Sequence, residues 1–285
     1  MNNVEVLYPV IAGVIWSTNP AIIHRFARRA PPALFTAIRA LMAVSFTGLL
    51  VALNGGIHLN DYSSTIIFLL LFSGALGPGI GDIAYTRSIQ ILGGSLAVVI
   101  SYTYIFFAQF FSAFIFGEKV TYITVIGGLL AFAGIVIAST NNSSGNSISK
   151  NGLIYGFIAA LCWGLASSLI GPLRNYVDAY STAFIRTSVV VIFSLLMSLM
   201  LGESLEVTKG LLVAAFFTGV FGWGVGMVLF VYSIYTIGVS ATVVVTALTP
   251  VLSQFTSRLV AGEKISPRTF LGALLVAVSI ALQAI

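Results

Sequence analysis

Ten long apolar runs follow one another along the chain and constrain its fold more than any other feature. A helix that crosses the hydrocarbon layer of a membrane needs about 20 apolar residues, which is about the length of each run. Strands of a membrane barrel would be shorter and would alternate in polarity. The sequence therefore predicts an all-α, multi-pass integral protein of the cell membrane with ten transmembrane helices, approximately at residues 4–23, 34–53, 65–86, 95–116, 122–140, 153–171, 182–201, 210–233, 240–260 and 268–285.

The scarcity of charge excludes most other classes of protein. Lys, Arg, Asp and Glu make up 7% of the 285 residues, whereas a soluble domain carries about 25%. So few charges could not cover the surface of a soluble enzyme. The net charge of +5 comes from basic residues scattered over loops and helix ends, so nucleic acid is not an expected partner. The expected partners are the lipid bilayer and a small-molecule substrate.

The two halves of the chain repeat each other at a nearly constant offset, which indicates an internal duplication. Near the start of each half the offset is 147 residues, and it pairs Trp16 with Trp163 and Arg39 with Arg186. Further along the offset is 145 residues. It matches a ladder of four glycines in the third run with four in the eighth, Gly74, Gly77, Gly79 and Gly81 with Gly219, Gly222, Gly224 and Gly226.

Each half is predicted to hold five spans, so the second half would enter the membrane in the opposite sense to the first. We therefore expect one membrane domain made of two inverted five-helix repeats, residues 1–148 and residues 149–285. Secondary transporters commonly have this architecture, with the substrate site near the membrane midplane at the repeat interface. The pattern favours a carrier that works by alternating access.

Three features recur in both halves: a Trp followed by a small residue in the first helix, an Arg early in the second helix, and a Gly-Glu-Lys turn after the fourth. The Trp and its small neighbour are Trp16-Ser17 in the first half and Trp163-Gly164 in the second. The turns are Gly117-Glu118-Lys119 and Gly262-Glu263-Lys264. Together they resemble the EamA-type members of the drug/metabolite transporter superfamily. The resemblance implies a ten-helix fold and export or exchange of small organic metabolites. The sequence departs from the family pattern at Ser17, where the family has Gly, and no Lys follows it.

Of the ionisable side chains within predicted spans, Asp82, Arg39 and Arg186 each have two interpretations. Asp82 is matched in the second half by Met227, so the duplicated scaffold does not require an acid there. A carboxyl group inside a membrane is a candidate for proton coupling, unless the helix ends earlier and Asp82 faces water. Arg39 and Arg186 either snorkel to the interface along their apolar stems or face the bundle, where they contact an anionic group of the substrate or a loop carbonyl.

A central cavity lined by aromatic and polar side chains is predicted between the halves. Polar residues of the fourth and ninth spans recur at helical spacing, and such a stripe faces the interior of a membrane bundle, for hydrogen bonds between helices or for a cavity. A cavity of this kind suits neutral, zwitterionic or amphipathic solutes, amino acids foremost. The predicted substrate-binding residues are Trp16, Asn19, Tyr85, Tyr102, Gln109, Trp163, Trp223, Tyr232, Thr249 and Gln254.

The motifs of enzymes and nucleotide-driven pumps are absent from the sequence. One cysteine cannot build a metal cluster. We therefore predict no enzyme, no cofactor and no metal, and a transport cycle coupled to protons or to exchange in a monomer or homodimer. The favoured function is export of amino acids or related metabolites. The alternatives are a multidrug or lipid-like solute exporter and a channel or scaffold without carrier activity.

Two further interpretations concern packing and orientation. The glycine ladder predicts either close helix packing or a cavity wall with a hinge, and Pro250 is expected to kink the ninth span. The basic residues of the loops favour both termini outside, whereas the family resemblance implies that both are cytoplasmic.

Overall fold

The computed structural model describes residues 5–57, 62–139, 149–261 and 267–283, and every regular element in these ranges is helical. Large apolar side chains such as Phe114, which is 80% exposed, cover the outside of the bundle, as expected of a surface that faces lipid. The chain is a multi-pass membrane protein. Seven helical stretches are long and apolar enough to cross a membrane, namely Pro32–Leu53, Ser64–Leu92, Leu96–Phe116, Lys150–Asn175, Ala179–Met200, Lys209–Ile237 and Val239–Val260.

The helices of the two halves follow the same order. The first half contains α1 (Leu7–Trp16), α2 (Asn19–Phe26), α3 (Pro32–Leu53), α4 (Ser64–Gly74), the π-helical segment π1 (Ala75–Gly81), α5 (Asp82–Leu92), α6 (Gly94–Ser101), α7 (Tyr104–Phe116) and α8 (Tyr122–Ser139). The second half contains α9 (Lys150–Ser168), a 3₁₀ turn (Gly171–Asn175), α10 (Ala179–Met200), α11 (Lys209–Phe216), the π-helical segment π2 (Phe217–Val225), α12 (Gly226–Ile237), α13 (Val239–Val245), α14 (Leu248–Ala261) and α15 (Pro267–Gln283).

The predicted span 4–23 is divided between α1 and α2. Pro20 has no N–H group, so the helix cannot continue its hydrogen-bond ladder through this point. The carbonyl oxygens near the break are satisfied from the other half of the chain, as a backbone in a membrane requires. Thr249 Oγ1 donates to Gly13 O at 3.0 Å, and Thr256 Oγ1 donates to Ser17 O at 2.7 Å. The predicted spans 122–140 and 268–285 correspond to α8 and α15, and the total of ten spans stays a prediction.

The fourth helix of each half is also broken, at positions that agree to within one residue at the offset of 145. α6 and α7 meet at Tyr102 and Thr103, and α13 and α14 meet at Thr246 and Ala247. The second break lies close to Pro250, where a kink was expected. The first half has Ile105 at the matching position and is broken all the same, so the proline is not required for the break.

The glycine ladder packs reciprocally against the opposite half. A Cβ atom on Gly219 would lie 2.5 Å from the carbonyl oxygen of Arg39, and one on Gly74 would lie 2.8 Å from the carbonyl oxygen of Arg186. The end of α4 and the segment π1 thus pack against α10, and π2 packs against α3. Small residues permit such close approach between membrane helices. These contacts place the predicted close packing at the centre of the molecule.

The first Gly-Glu-Lys turn joins the two halves. Gly117 ends α7 with φ +65°, a conformation that glycine adopts without strain. The Glu118 side chain then accepts a hydrogen bond from the backbone N–H of Ser240 at 3.0 Å, in the first turn of α13. The matching turn, Gly262-Glu263-Lys264, lies outside the described residues.

Candidate functional site

A cavity of about 90 Å³ lies between the two halves, where the breaks and the π-helical segments meet. Ten of the thirteen residues that the sequence singled out line it. They are Trp16, Asn19, Arg39, Asp82, Tyr85, Tyr102, Trp163, Arg186, Trp223 and Thr249.

Three predicted binding residues are placed elsewhere. Gln109 is buried and its side-chain amide donates to Thr124 O at 3.5 Å, on α8. Tyr232 is 43% exposed and packs its ring edge-on against Tyr8. Gln254 donates to Pro250 O within its own helix. These side chains are not among those lining the cavity, and their binding role stays a prediction.

Seven lining residues were not on the predicted list: Gly77, Pro78, Tyr104, Ala166, Ser167, Met227 and Phe230. Several of them are the repeat equivalents of residues that were predicted. Ala166 matches Asn19, Met227 matches Asp82 and Phe230 matches Tyr85. Extending each predicted residue to its equivalent in the other half would have found these three.

Asp82 is buried at the centre of a hydrogen-bonded network, so it does not face water. The helix that carries it continues from Ser64 to Leu92 through π1 and α5. Its Oδ1 atom accepts from Arg39 Nη1 at 2.9 Å, and its Oδ2 atom accepts from the indole N–H of Trp163 at 3.1 Å. Both oxygens are thus partnered, one from each half of the chain.

Arg39 is held on several sides at once. In addition to the ion pair with Asp82, its Nε atom donates to Thr218 O at 3.3 Å. Its guanidinium carbon lies 4.1 Å from the centre of the Trp223 ring, a cation–π contact. The interpretation of snorkelling is therefore wrong for Arg39: the side chain is 2% exposed and points into the bundle because its counter-charge lies there.

Arg186 is equally buried, at 3% exposed, but its surroundings differ. Its Nη2 atom makes a long contact of 3.4 Å with Ser73 O, which mirrors the contact between Arg39 and Thr218. Its Nε and Nη1 atoms have no hydrogen-bond partner among the described residues. Snorkelling is wrong here too, and this guanidinium lines the cavity without a counter-charge among the described residues.

A cluster of aromatic rings forms another wall of the cavity. Trp163 packs edge-on against Tyr85, with ring centres 4.8 Å apart, and against Tyr104 at 6.0 Å. Tyr102 packs edge-on against Tyr104 at 5.3 Å, and the Tyr104 hydroxyl is hydrogen bonded to Thr246. Such edge-to-face packing holds the rings in fixed positions. The cluster presents a rigid apolar surface with a few polar edges.

The opposite wall is formed by Trp16. Its indole N–H donates to Gly222 O at 2.7 Å, and its ring packs against Phe230 with centres 5.2 Å apart. A Cβ atom on Gly226 would lie 2.6 Å from the Trp16 nitrogen, as one on Gly81 would lie 2.8 Å from the Trp163 ring. Each Trp thus packs into the glycine-rich helix opposite it.

The site is not built as a metal centre in the part of the chain that the structure describes. No group of three His, Cys, Asp or Glu side chains in those residues could hold a metal ion. What the cavity offers instead is a buried guanidinium, an ion pair and a wall of rings, which can bind an organic solute.

A helical membrane protein with two similar halves around a central cavity has the architecture of a solute carrier. A sequence profile of the EamA-like transporter family matches residues 3–140 and again residues 150–284. The chain belongs to the EamA-like transporter family, in agreement with the resemblance to the drug/metabolite transporter superfamily.

Two individual proteins are similar to the chain. An uncharacterized transporter of Archaeoglobus fulgidus is 28% identical over 133 residues, which are 45% of this chain and 47% of that protein. The matched region thus spans about half the length of that relative. A solved crystal structure covers 99% of this chain and 96% of its own, with a TM-score of 0.77 and 18% identity, which shows a common fold.

Proposed function

We propose that the protein is a secondary transporter, not an enzyme, that moves a small organic solute by alternating access. The observation that carries this proposal is the cavity between the halves, lined by residues that the repeat makes equivalent. Trp16 and Trp163 line it from the two halves, and so do Arg39 and Arg186. A site shared by two similar halves can open to one side or the other as the halves rock.

We further propose that residues 1–148 and 149–285 are inverted repeats of five spans each. Reciprocal contacts support this arrangement. Arg39 bonds to Thr218 O in the second half, and Arg186 contacts Ser73 O in the first. Such paired contacts are expected where two similar units face each other across a pseudo-twofold axis.

The dimensions of the cavity favour small metabolites over drugs or lipids. Pockets for drug-sized ligands measure about 300–1,000 Å³, whereas this cavity measures about 90 Å³. Amino acids and related solutes remain the leading class, with export as the proposed direction. The alternatives of a multidrug or lipid-like exporter need a wider state of the cavity.

The test is counterflow in proteoliposomes preloaded separately with amino acids and with other metabolite pools. Saturable entry of a labelled solute, accelerated by the same solute inside, is the expected result for a carrier. Flux without saturation would indicate a channel, and the absence of flux for every pool would overturn the proposal.

Trp163→Ala is expected to change the relative counterflow rates of candidate solutes by about 2- to 10-fold, because ring contacts contribute about 0.5–1.5 kcal/mol each. The protein should remain folded, as judged by size-exclusion chromatography. Phe114→Ala removes a ring from the lipid-facing surface, where the side chain is 80% exposed, and serves as the control. Equal selectivity of the two variants would contradict the placement of Trp163 in the binding site.

Asp82→Asn is expected to abolish solute accumulation driven by an imposed pH gradient while leaving counterflow measurable. A carboxyl group buried in a membrane is suited to carry a proton, and the amide that replaces it cannot be protonated in the same range. Asp82→Glu retains a carboxyl group and should retain part of the response. If Asp82→Asn accumulates solute with the wild-type dependence on pH, proton coupling through this residue is excluded.

A further inference from the structure

The repeat reveals a difference between the two buried arginines. Arg39 and Arg186 are equivalent in the two halves, and each contacts a backbone carbonyl of the opposite half. The acid that pairs with Arg39 is Asp82, and the residue equivalent to Asp82 is Met227. Met227 is 6% exposed and lines the same cavity. The second half thus has the cation of the pair and, at the position of the anion, an apolar side chain.

A second polar group is also missing beside Arg186. Around Gly222 lie the Asn19 amide and Arg39 Nη2, at 3.2 and 3.6 Å from the position of an added Cβ atom. Around the equivalent Gly77 lie the Ala166 methyl group and Arg186 Nη2, at 2.6 and 3.4 Å. Alanine therefore stands where the first half has an amide. At two separate positions near Arg186, the second half thus has apolar side chains where the first half has polar ones.

The balance of charge in the cavity follows from these differences. The charged groups among its described lining residues are Arg39, Asp82 and Arg186. With Asp82 ionised and paired to Arg39, one positive charge is left over, on a guanidinium whose Nε and Nη1 atoms lack protein partners among the described residues. A buried charge without a partner is costly, and an uncompensated ion inside a membrane protein marks a substrate or ion pathway.

We propose that Arg186 anchors a carboxylate group of the transported solute, and that Arg39 does not. This anchor role rests on the proposed transport function. It narrows the substrate class of the transporter to compact organic solutes that carry one carboxylate, amino acids included. A carboxylate matches the single excess charge and can accept charge-assisted hydrogen bonds from the guanidinium. A doubly charged phosphate would exceed that charge. The rest of the solute would contact the aromatic wall formed by Trp163, Tyr102 and Tyr104.

The experiment uses two matched sets of probes that differ in one charged group: leucine, 3-methylbutylamine and 4-methylpentanoate, and the shorter alanine, ethylamine and propionate. Each is tested for a shift in the melting temperature of the purified full-length protein and as a competitor in counterflow. For the wild type, we expect carboxylate-bearing probes of at least one set to stabilise and compete, and the amines to do neither.

Two variants then remove the anion site in different ways. Arg186→Met deletes the cation, and Met227→Asp supplies the counter-charge that the first half already has while leaving Arg186 in place. Both should weaken carboxylate binding by about 10- to 100-fold, the equivalent of losing charge-assisted hydrogen bonds. Because Met227→Asp neutralises a buried charge, its melting temperature without ligand should not fall, which separates loss of binding from loss of folding. Phe114→Ala is the control for a distant substitution.

The failures of the two proposals can be told apart. Equal binding of the amines, wild-type carboxylate binding by Arg186→Met, or no response of the wild type to any carboxylate probe would overturn the anchor role of Arg186. If counterflow with another pool still occurs in those cases, the transporter proposal stands. If no pool gives counterflow in folded, reconstituted protein, the transporter proposal itself is overturned.

Discussion

Arg39→Met should destabilise the folded protein by about 3–5 kcal/mol, the cost of removing one partner from a buried ion pair. The substitution leaves the Asp82 carboxylate in the core with the Trp163 indole as its one hydrogen-bond donor among the described residues. It also removes the bond to Thr218 O and the contact with the Trp223 ring. Reversible unfolding in mixed micelles measures the free energy of unfolding, and thermal melting in detergent gives the same ranking.

Replacement of the equivalent arginine by Met is the matched control, and the expected change in stability has the opposite sign. Arg186→Met removes a buried charge that has no counter-charge among the lining residues, so the melting temperature should stay equal or rise. The double variant Arg39→Met/Asp82→Leu should recover most of the loss, because no unpaired charge remains. Equal destabilisation by Arg39→Met and Arg186→Met would contradict the difference between the two sites.

Gly219→Leu should prevent folding, or cost more than about 3 kcal/mol, because the added atoms would overlap a backbone that cannot move aside. A Cβ atom alone would lie 2.5 Å from Arg39 O and 2.9 Å from Met42 Cβ. The measurement is the yield of monodisperse protein after extraction, followed by thermal melting. Gly219→Ala should show a smaller loss in the same direction.

Gly171→Ala is the control for the glycine substitutions. In the described part of the chain, the one atom within 4 Å of an added Cβ atom there is Val239 Cγ2, at 3.2 Å, which is the end of a side chain and can shift. Its expected change in the free energy of unfolding is under about 1 kcal/mol. A loss at Gly171 as large as that at Gly219 would indicate a general sensitivity to substitution instead of close backbone packing.

Most of the residues that line the cavity could be predicted because the duplication is visible in the sequence, as residues that match at a fixed offset. Trp16, Trp163, Arg39 and Arg186 could be identified from the offset of 147 residues, since residues kept in both halves lie near the centre that the halves share. Asp82 could be identified from the opposite signal, a charge present in one half only. The seven apolar stretches of sufficient length agree with predicted spans for the simpler reason that lipid demands length and apolarity.

What the sequence could not predict depends on contacts between distant segments. The burial of Arg39 follows from Asp82, 43 residues away, and the shared offset gave no sign of that pair. Pro20 accounts for the division of the first span, but the sequence did not show that hydroxyl donors from Thr249 and Thr256 of the other half bond to carbonyl oxygens at this break. The glycines of π1 and π2 pack closely against side chains and backbone of the other half, contacts between distant segments that no local propensity records.

The replacement of Asp82 by Met227 also limits how the molecule could have been assembled from smaller parts. An assembly of two copies of residues 1–148 would carry two ion pairs and no free guanidinium. An assembly of two copies of residues 149–285 would carry two unneutralised guanidinium groups facing each other. The two unlike halves together give a single excess positive charge among the described lining residues, and with the proposed anchor role of Arg186 this corresponds to one bound anion per molecule.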